Sequence, residues 1–407
     1  MNNSIVNHSE LYRMPWTLPD NAISWLEPTS LCNLACDGCY RKNEKNSHKS
    51  LEEVKHELDI FKQFRKTDCI SIAGGDPLLY PEIINLVAEI KSRGLKPIIN
   101  TNGFALTKEF LLELKMAGVF GFTFHVDSKQ GRAGEWKNKN EIELNDLRYE
   151  YARLLADVGN ISCSFNSTVY EDTLDYVPEL INWAHKNIDI VQTMVFIAFR
   201  HIVPQMPFNW YAYDKQVDWQ NVMYHSNDER KVDIKSTDIL KKVKGKFPEF
   251  TPSAYLNGTD KSDSYKWMFT ERVGNKEKIF GYVGSKFMEL IMSSYHLFND
   301  SYLSYASPKT TRMGRSSMLL LWPFDKKLKT ATGKFIKYFA GNPIRIFKKA
   351  HLQTILFIQP VDFMEDGSQV MCDGCPDITV HNDKLVWSCR LEEPKQFGTF
   401  LRSVPKN

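Results

Sequence analysis

From about residue 22 to residue 200, short runs rich in β-branched and aromatic residues alternate with amphipathic stretches of helical period. This rhythm predicts βα units on a parallel sheet. Six units can be counted. Strands are expected over residues 23–27, 69–73, 96–100, 120–126, 161–169 and 190–199, with helices beginning near Leu51, Pro81, Thr107, Glu143 and Thr173. Pro81 suits a first-turn position, and Thr107 and Thr173 suit N-caps.

Parity within the strands then separates two kinds of α/β fold. Over 161–169 one face reads Ser162, Ser164, Asn166, Thr168 and the other Ile161, Cys163, Phe165, Val169. Around 120–127, Thr123, His125 and Asp127 oppose Phe122, Phe124 and Val126. An apolar face meets helices, and a polar face lines a concavity. The expected class is therefore α/β, a partial (β/α)6 barrel of TIM type with its site inside, and not a doubly wound sheet.

Beyond residue 200 the βα rhythm stops. Residues 201–350 are aromatic-rich, punctuated by Gly, Ser and Asn, and basic, which reads as an inserted accessory or substrate module. Residues 351–407 return to apolar runs and close on a cysteine group, a small C-terminal module, and residues 1–21 form an N-terminal extension. No repeat of solenoid period is evident.

With 407 residues, 43% apolar and 25% charged, the chain suits a globular protein with a large core and accessory modules. The opening residues lack the basic-then-apolar layout of a secretory signal. The longest clean apolar run, 318–324, is too short to cross a bilayer, so a cytoplasmic protein without a transmembrane segment is expected.

The net charge of +3 is uninformative, but its distribution is not. Between Lys309 and Lys349 eleven Lys and Arg residues face one acid, Asp325. Such a segment suggests a surface for anions. Trp322, Phe324, Phe335, Tyr338, Phe339 and Phe347 are interleaved with these bases. Around 334–339 the pattern is that of a short amphipathic helix lying on an anionic membrane face. Phosphate-bearing or single-stranded nucleic-acid ligands suit the same mixture, and a solvated helical face over ordinary core aromatics is the plain alternative.

Eight cysteines, six of them in two tight groups, indicate metal ligation in a reducing compartment. Cys69 and Cys163 sit alone in apolar runs and read as small hydrophobes. Cys32, Cys36 and Cys39 have CxxxCxxC spacing, so three thiolates can hold three irons of a [4Fe-4S] cluster and leave the fourth open. A zinc knuckle would need a further ligand close by, and the nearest are His48 and Cys69.

One strand later comes Gly74-Gly75-Asp76-Pro77, and Thr101-Asn102-Gly103 ends the third strand. With the three cysteines, these motifs resemble the radical S-adenosylmethionine (SAM) superfamily and its six-unit partial barrel. The resemblance implies that the open iron chelates SAM, whose one-electron cleavage yields methionine and a 5′-deoxyadenosyl radical that abstracts hydrogen from substrate. It implies that Gly74, Gly75 and Asp76 stand for the family's GGEP element near the methionyl ammonium, with Asp for Glu. Asn102 would orient the methionine part. His125 and Asp127, in His125-Val126-Asp127-Ser128, align with the ribose-contacting run, His125 replacing a serine, and Asn166 matches a family Asn that reaches SAM. The family's adenine-packing aromatic usually precedes the third cysteine; here that place is Gly38, and the aromatic is Tyr40. On the residues alone, His125 also fits an acid/base or a satisfied interior residue, and Asn166 an interior amide.

The second group, Cys372, Cys375 and Cys389, has Cx2Cx13C spacing. A hairpin over 378–388, turning at His381-Asn382-Asp383-Lys384, would return the third thiolate to the first two. The spacing resembles the auxiliary [4Fe-4S] site of the GTP cyclases of molybdenum-cofactor synthesis. That activity itself is not expected, since the chain ends in SVPKN, without the cyclases' Gly-Gly terminus, and carries a long insertion. A zinc site using Asp373, Asp377 or His381, and a fully ligated relay cluster, are the alternatives.

The expected function is a radical SAM enzyme acting on a phosphate-bearing or lipid-like small molecule. A reductase or a flavodoxin- or ferredoxin-type electron donor would serve it, and peripheral contact with an anionic membrane would fit the basic segment. A peptide-modifying radical SAM maturase and a non-catalytic iron–sulfur or zinc protein are the other readings.

Overall fold

The computed structural model describes residues 5–261, 263–342, 345 and 348–406, so Phe347 lies outside the described residues. The chain opens with β1 (Tyr12–Arg13), β2 (Ile23–Thr29), α1 (Leu51–Phe64), β3 (Cys69–Gly74), α2 (Ile83–Ser92) and β4 (Lys96–Thr101). It continues through α3 (Lys108–Ala117), β5 (Gly121–His125), α4 (Asn145–Val158), β6 (Ser162–Val169), α5 (Val177–Lys186) and β7 (Thr193–Ala198). Strands β2 to β7 pair in parallel in sequence order.

All six expected strands form, because β-branched runs of this length bury one full face. Leu26, Ile72, Phe122, Phe165 and Phe196 pack outward against Leu58, Leu86, Leu111, Leu155 and Ile181 of the covering helices. Each such burial stabilises by about 1.5–3 kcal/mol. Thr107 caps α3 as expected, its hydroxyl accepting from Phe110 N at 3.2 Å. Two expectations at helix starts are corrected. Pro81 sits in the turn before α2, whose cap is Glu82. The Thr173 hydroxyl is taken by Tyr170 N at 2.9 Å, so α5 starts a turn later, with Pro178 in its first turn.

After β7 come β8 (Phe208–Ala212), β9 (Lys215–Val217), α6 (Ser236–Lys246), β10 (Ala254–Asn257), β11 (Tyr265–Gly274) and β12 (Ile279–Tyr282). Helices α7 (Ser285–Asn299), α8 (Pro308–Thr311), α9 (Gly314–Leu321) and α10 (Lys326–Ala340) follow, then β13 (His351–Ile358), β14 (Asp362–Phe363) and β15 (Gln369–Val370). The chain ends with β16 (Ile378–His381), β17 (Lys384–Trp387), α11 (Glu392–Phe397) and β18 (Arg402–Pro405).

The main sheet does not stop at β7. Strand β13 pairs with it in parallel, β11 runs antiparallel to β13, and β10 and β1 follow, giving the order β1-β10-β11-β13-β7-β6-β5-β4-β3-β2. The expected accessory segment thus supplies three strands to the barrel sheet, and the expected C-terminal segment supplies one. The sheet's two edge strands, β1 and β2, are joined by residues 14–22 alone.

The end of the barrel at the N-termini of the parallel strands is stoppered by residues 303–306. Ser304 N donates to Asp68 at 2.9 Å, Lys96 Nζ to the Tyr305 carbonyl at 3.1 Å, and Ser162 Oγ to the Ala306 carbonyl at 3.1 Å. Helix α10 covers β12, with Phe335 and Tyr338 packed on Phe280 at ring separations of 5.1 and 5.2 Å. This corrects the picture of a helix free to lay its aromatics on a membrane: Phe335 and Tyr338 serve the protein's own core. Among the described residues, no helix is long and apolar enough to cross a membrane.

Candidate functional site

Both cysteine groups border one cavity of about 760 Å³ that runs from the C-terminal ends of β2–β7 into the barrel. The first group lies in the loop leaving β2. Thr29 Oγ1 accepts from Leu31 N at 3.1 Å and Ser47 Oγ from Ser30 N at 3.0 Å, which fixes the start of the loop. Asn43 clamps Cys32, its Oδ1 accepting from Cys32 N at 3.0 Å and its Nδ2 donating to Cys32 O at 2.9 Å. The Cys39 amide donates to Cys36 O at 3.3 Å, and its sulfur accepts from Arg41 N at 3.4 Å.

Burial pushes the Cys32, Cys36 and Cys39 thiols up, and the charge of Cys39 adds to the effect on the other two. Three soft donors gathered in a poorly solvated loop favour a thiophilic cationic cluster, which would stabilise them as thiolates. The donor set therefore fits an iron–sulfur cluster.

The two glycines after β3 are required by this loop. Gly74 has φ +112°, and a Cβ there would stand 2.1 Å from Thr29 O; a Cβ on Gly75 would stand 2.1 Å from Leu31 O. The close approach that excludes a side chain is made by the cysteine loop's own backbone, with Gly75 N donating to Thr29 O at 2.9 Å and Asp76 N to Leu31 O at 2.7 Å. Asp76 is buried beneath, accepting from Thr101 Oγ1 at 2.8 Å and Asn102 N at 2.9 Å. Asn102 in turn donates to Asn33 Oδ1 at 2.7 Å and lies 3.7 Å from Cys32 Sγ.

His125 and Asn166, register partners on β5 and β6, both border the cavity. His125 Nε2 is 2.8 Å from Asp127 Oδ2 and 3.1 Å from Thr168 Oγ1. Burial raises the Asp127 carboxyl, but the hydrogen bond and charge of His125, together with the amides of Lys129 and Thr168, hold the group below its ordinary value. Tyr40 packs on the cluster of Ile202 and Trp210, with the Arg41 guanidinium 4.8 Å over its ring.

Sequence reasoning missed an aromatic pair here. A Cβ on Gly38 would fall 2.6 Å from Tyr170 Oη and 3.4 Å from Phe199, whose rings are 4.8 Å apart just past β6 and β7. These rings fill the space beside the bare Gly38. The missing side chain at position 38 was the signal that something else occupies that place.

The hairpin expected between Cys375 and Cys389 forms. Strands β16 and β17 pair, and Asn382 and Asp383 turn between them with φ of 49° and 60°. Cys372 and Cys375 interact through their thiols, and Cys389 follows β17. Arg65 Nη2 donates to Cys375 O at 2.8 Å and anchors this segment on the barrel. Of the three side chains considered as further ligands, Asp373 is paired with Arg13 at 2.8 Å, His381 bonds Asn382 at 3.2 Å, and Asp377 borders the cavity. Burial pushes Asp377 up to about 7, against the pull of Arg65.

The cavity's charges are unevenly matched. Arg41 is paired with Glu27 at 2.5 Å and Arg200 with Asp362 at 2.8 Å. The bordering carboxyls Glu271 and Asp377 have no ion-pair partner among the described residues. One side of the cavity is apolar, with Trp267, Phe269 and Leu356 facing Phe287, Met288 and Met292 of α7.

Residues 26–184 match the family model of the Radical SAM superfamily. A tungsten-containing aldehyde ferredoxin oxidoreductase cofactor-modifying protein of Pyrococcus furiosus is 35% identical over 111 residues, covering 25% of this chain and 30% of that protein. An AdoMet-dependent heme synthase of Oleidesulfovibrio alaskensis is 29% identical over 182 residues, 42% of this chain and 46% of that one. A probable GTP 3′,8-cyclase of Methanococcus maripaludis is 28% identical over 181 residues, 42% of this chain and 58% of that one. The chain thus spans between 30% and 58% of the length of these relatives. Among solved structures, Streptococcus suis SuiB bound to S-adenosylmethionine aligns with a TM-score of 0.41 at 15% identity, over 57% of this chain and 48% of that one. A [4Fe-4S] cluster and SAM are the cofactors of this superfamily. Residues 26–184, on their parallel sheet, thus carry a domain of the Radical SAM superfamily.

Proposed function

We propose that this chain is a radical SAM enzyme that abstracts hydrogen from an elongated, lipid-like substrate. The observation that carries this reading is that both cysteine trios border one cavity that has a long apolar wall. Cys32, Cys36 and Cys39 would hold the SAM-binding [4Fe-4S] cluster, and Cys372, Cys375 and Cys389 a second one. When bound, the first cluster and SAM supply a 5′-deoxyadenosyl radical.

The chain's own residues bind and orient. Gly74, Gly75 and Asp76 shape the shelf beside the cysteine loop, and Asn102, held by Asp76, would orient the methionyl end. His125, fixed by Asp127, would meet the ribose together with Asn166, and Tyr40, Tyr170 and Phe199 would hold the adenine. The stopper at residues 303–306 and α7 exclude water from the lumen, which protects a reactive intermediate. A phosphate is disfavoured inside, because the bordering arginines are already paired and the unpaired groups are carboxyls. A reductase or a flavodoxin- or ferredoxin-type donor would supply the electron.

Approach from an anionic membrane is the companion reading. Leu319, Leu320 and Phe324 are exposed beside Arg315, Lys326 and Lys329, a mixture that suits a lipid surface.

Anaerobic reconstitution tests the whole. About eight irons per chain are expected for two cubane clusters, with deoxyadenosine released after reduction by dithionite. Cys36→Ala should release none, whereas Cys389→Ala should retain release with about four irons. A reconstituted wild type that holds zinc, or releases no deoxyadenosine, would overturn the reading.

A further inference from the structure

The wall formed by β11, β13 and β7 is layered. Because β11 pairs with β13 and β13 with β7, residues that face the cavity line up in rows across the three strands. The first row, nearest the cysteine end, is Trp267, Ile358 and Ile197; the second is Phe269, Leu356 and Val195; the third is Glu271, Thr354 and Thr193. Two apolar rows thus give way to a polar one, and Leu352 below restores the apolar wall. At ~3.3 Å per residue, Glu271 lies roughly 13 Å along β11 from Trp267.

The carboxyl in this row has little to satisfy it. Thr354 Oγ1 donates to Glu271 Oε2 at 2.6 Å and is the one side chain hydrogen-bonded to that carboxyl among the described residues. Arg272, next along β11, points to the other face, where it donates to Gln353 Oε1 at 2.9 Å. A carboxyl among apolar rows is costly unless a donor meets it. No phosphate or carboxylate would be drawn to such a place, whereas a hydroxyl or an ammonium group would.

We propose that the Glu271–Thr354–Thr193 row is a polar anchor that binds a hydroxyl or ammonium group at the inner end of an elongated apolar substrate, so that a carbon farther along the chain is presented at the cysteine end. The inference rests on the reading of this cavity as a lipid-like substrate site, and it narrows that substrate to one carrying a hydrogen-bond donor at its buried end. Burial raises the Glu271 carboxyl to about 7, so the anchor gains most when a donor restores its charge. The anchor also sets a ruler: its depth selects which carbon of the chain stands at the rim.

Equilibrium dialysis of the reconstituted protein, kept anaerobic at about pH 8.5 where Glu271 is ionised, with dodecylamine, dodecanol and dodecanoate below their micellar concentrations, separates the possibilities. Wild type should bind the amine and the alcohol about tenfold more tightly than the carboxylate. Glu271→Gln should erase the preference for the amine, and Thr354→Val, which keeps the carboxyl but frees its orientation, should reduce it. An amine-to-carboxylate ratio unchanged in both variants would overturn the anchor while leaving the lipid-like reading intact. Failure of the wild type to bind any of the three would overturn the lipid-like reading, and the anchor with it. Should Glu271→Gln not fold, by circular dichroism, the Thr354→Val ratio decides alone.

Discussion

Arg41 and Glu27 form a buried ion pair beneath the first cysteine loop, with Nε to Oε2 at 2.6 Å and Nη2 to Oε1 at 2.5 Å. The same guanidinium donates to the Ser388 carbonyl, one residue before Cys389. One side chain therefore ties the loop of the first trio, the strand that launches it and the segment of the second trio. Its exposure is only 3%, and that of Glu27 6%, so neither charge has water to fall back on.

Arg41→Met should leave Glu27 buried and unpaired, at a cost of about 3–5 kcal/mol. Thermal unfolding should show the loss, and iron content should fall at both trios together. Glu27→Met on the Arg41→Met background should recover much of the stability, because the orphaned charge is then gone. A fall in iron confined to the first trio would break the proposed tie between the two segments.

The Tyr170–Phe199 pair beside Gly38 occupies the space where the family's usual aromatic would lie. Base–aromatic stacking contributes about 1–3 kcal/mol per base, so Tyr170→Ala should weaken SAM binding about tenfold. Isothermal titration of SAM into reconstituted protein reads this directly. An unchanged affinity would assign the adenine to Tyr40 instead.

Glu271 makes stability depend on pH in a defined direction. Its folded value is raised by burial from 4.5 to about 7, so between those values the folded state retains a proton that the unfolded state has released. Stability should then fall as pH rises from about 4.5 to 7, by up to about 3 kcal/mol. Denaturant unfolding of wild type and Glu271→Gln across this window should give profiles that diverge, with the variant losing less. Parallel profiles would mean that the carboxyl is solvated in the folded protein.

The exposed apolar positions of α9 make a prediction about lipid. Vesicles containing phosphatidylglycerol should co-sediment the protein more than neutral vesicles, and added salt should release it. Leu319→Ser with Leu320→Ser should reduce binding by about a hundredfold or more, given about 1.5–3 kcal/mol for each leucine buried in the interface. Equal binding to both kinds of vesicle would remove the role given to the basic segment.

Local pattern carried a great deal. The six parallel strands, the cap at Thr107 and the hairpin that carries Cys389 were legible because each depends on the period or turn chemistry of a few neighbouring residues. Of the polar faces read along β5 and β6, Thr123, His125, Asn166 and Thr168 border the cavity, since strand parity admits only two faces. Asp76 was legible as a motif, but its contacts with Thr101 and Asn102 were not, because a carboxyl's partners across a strand gap leave no periodic trace.

By itself, then, the chain's sequence determined which segments are strands, where thiols cluster and that a radical SAM domain is present. Only the tertiary structure decided that the two cysteine trios, more than three hundred positions apart, share one cavity. It also decided that β13, β11 and β10 extend the barrel sheet, and that Glu271, Thr354 and Thr193 meet in one row. The reason is physical: periodicity records how a residue faces its own element, whereas register between distant strands is settled by the sum of contacts that the closed sheet makes at once.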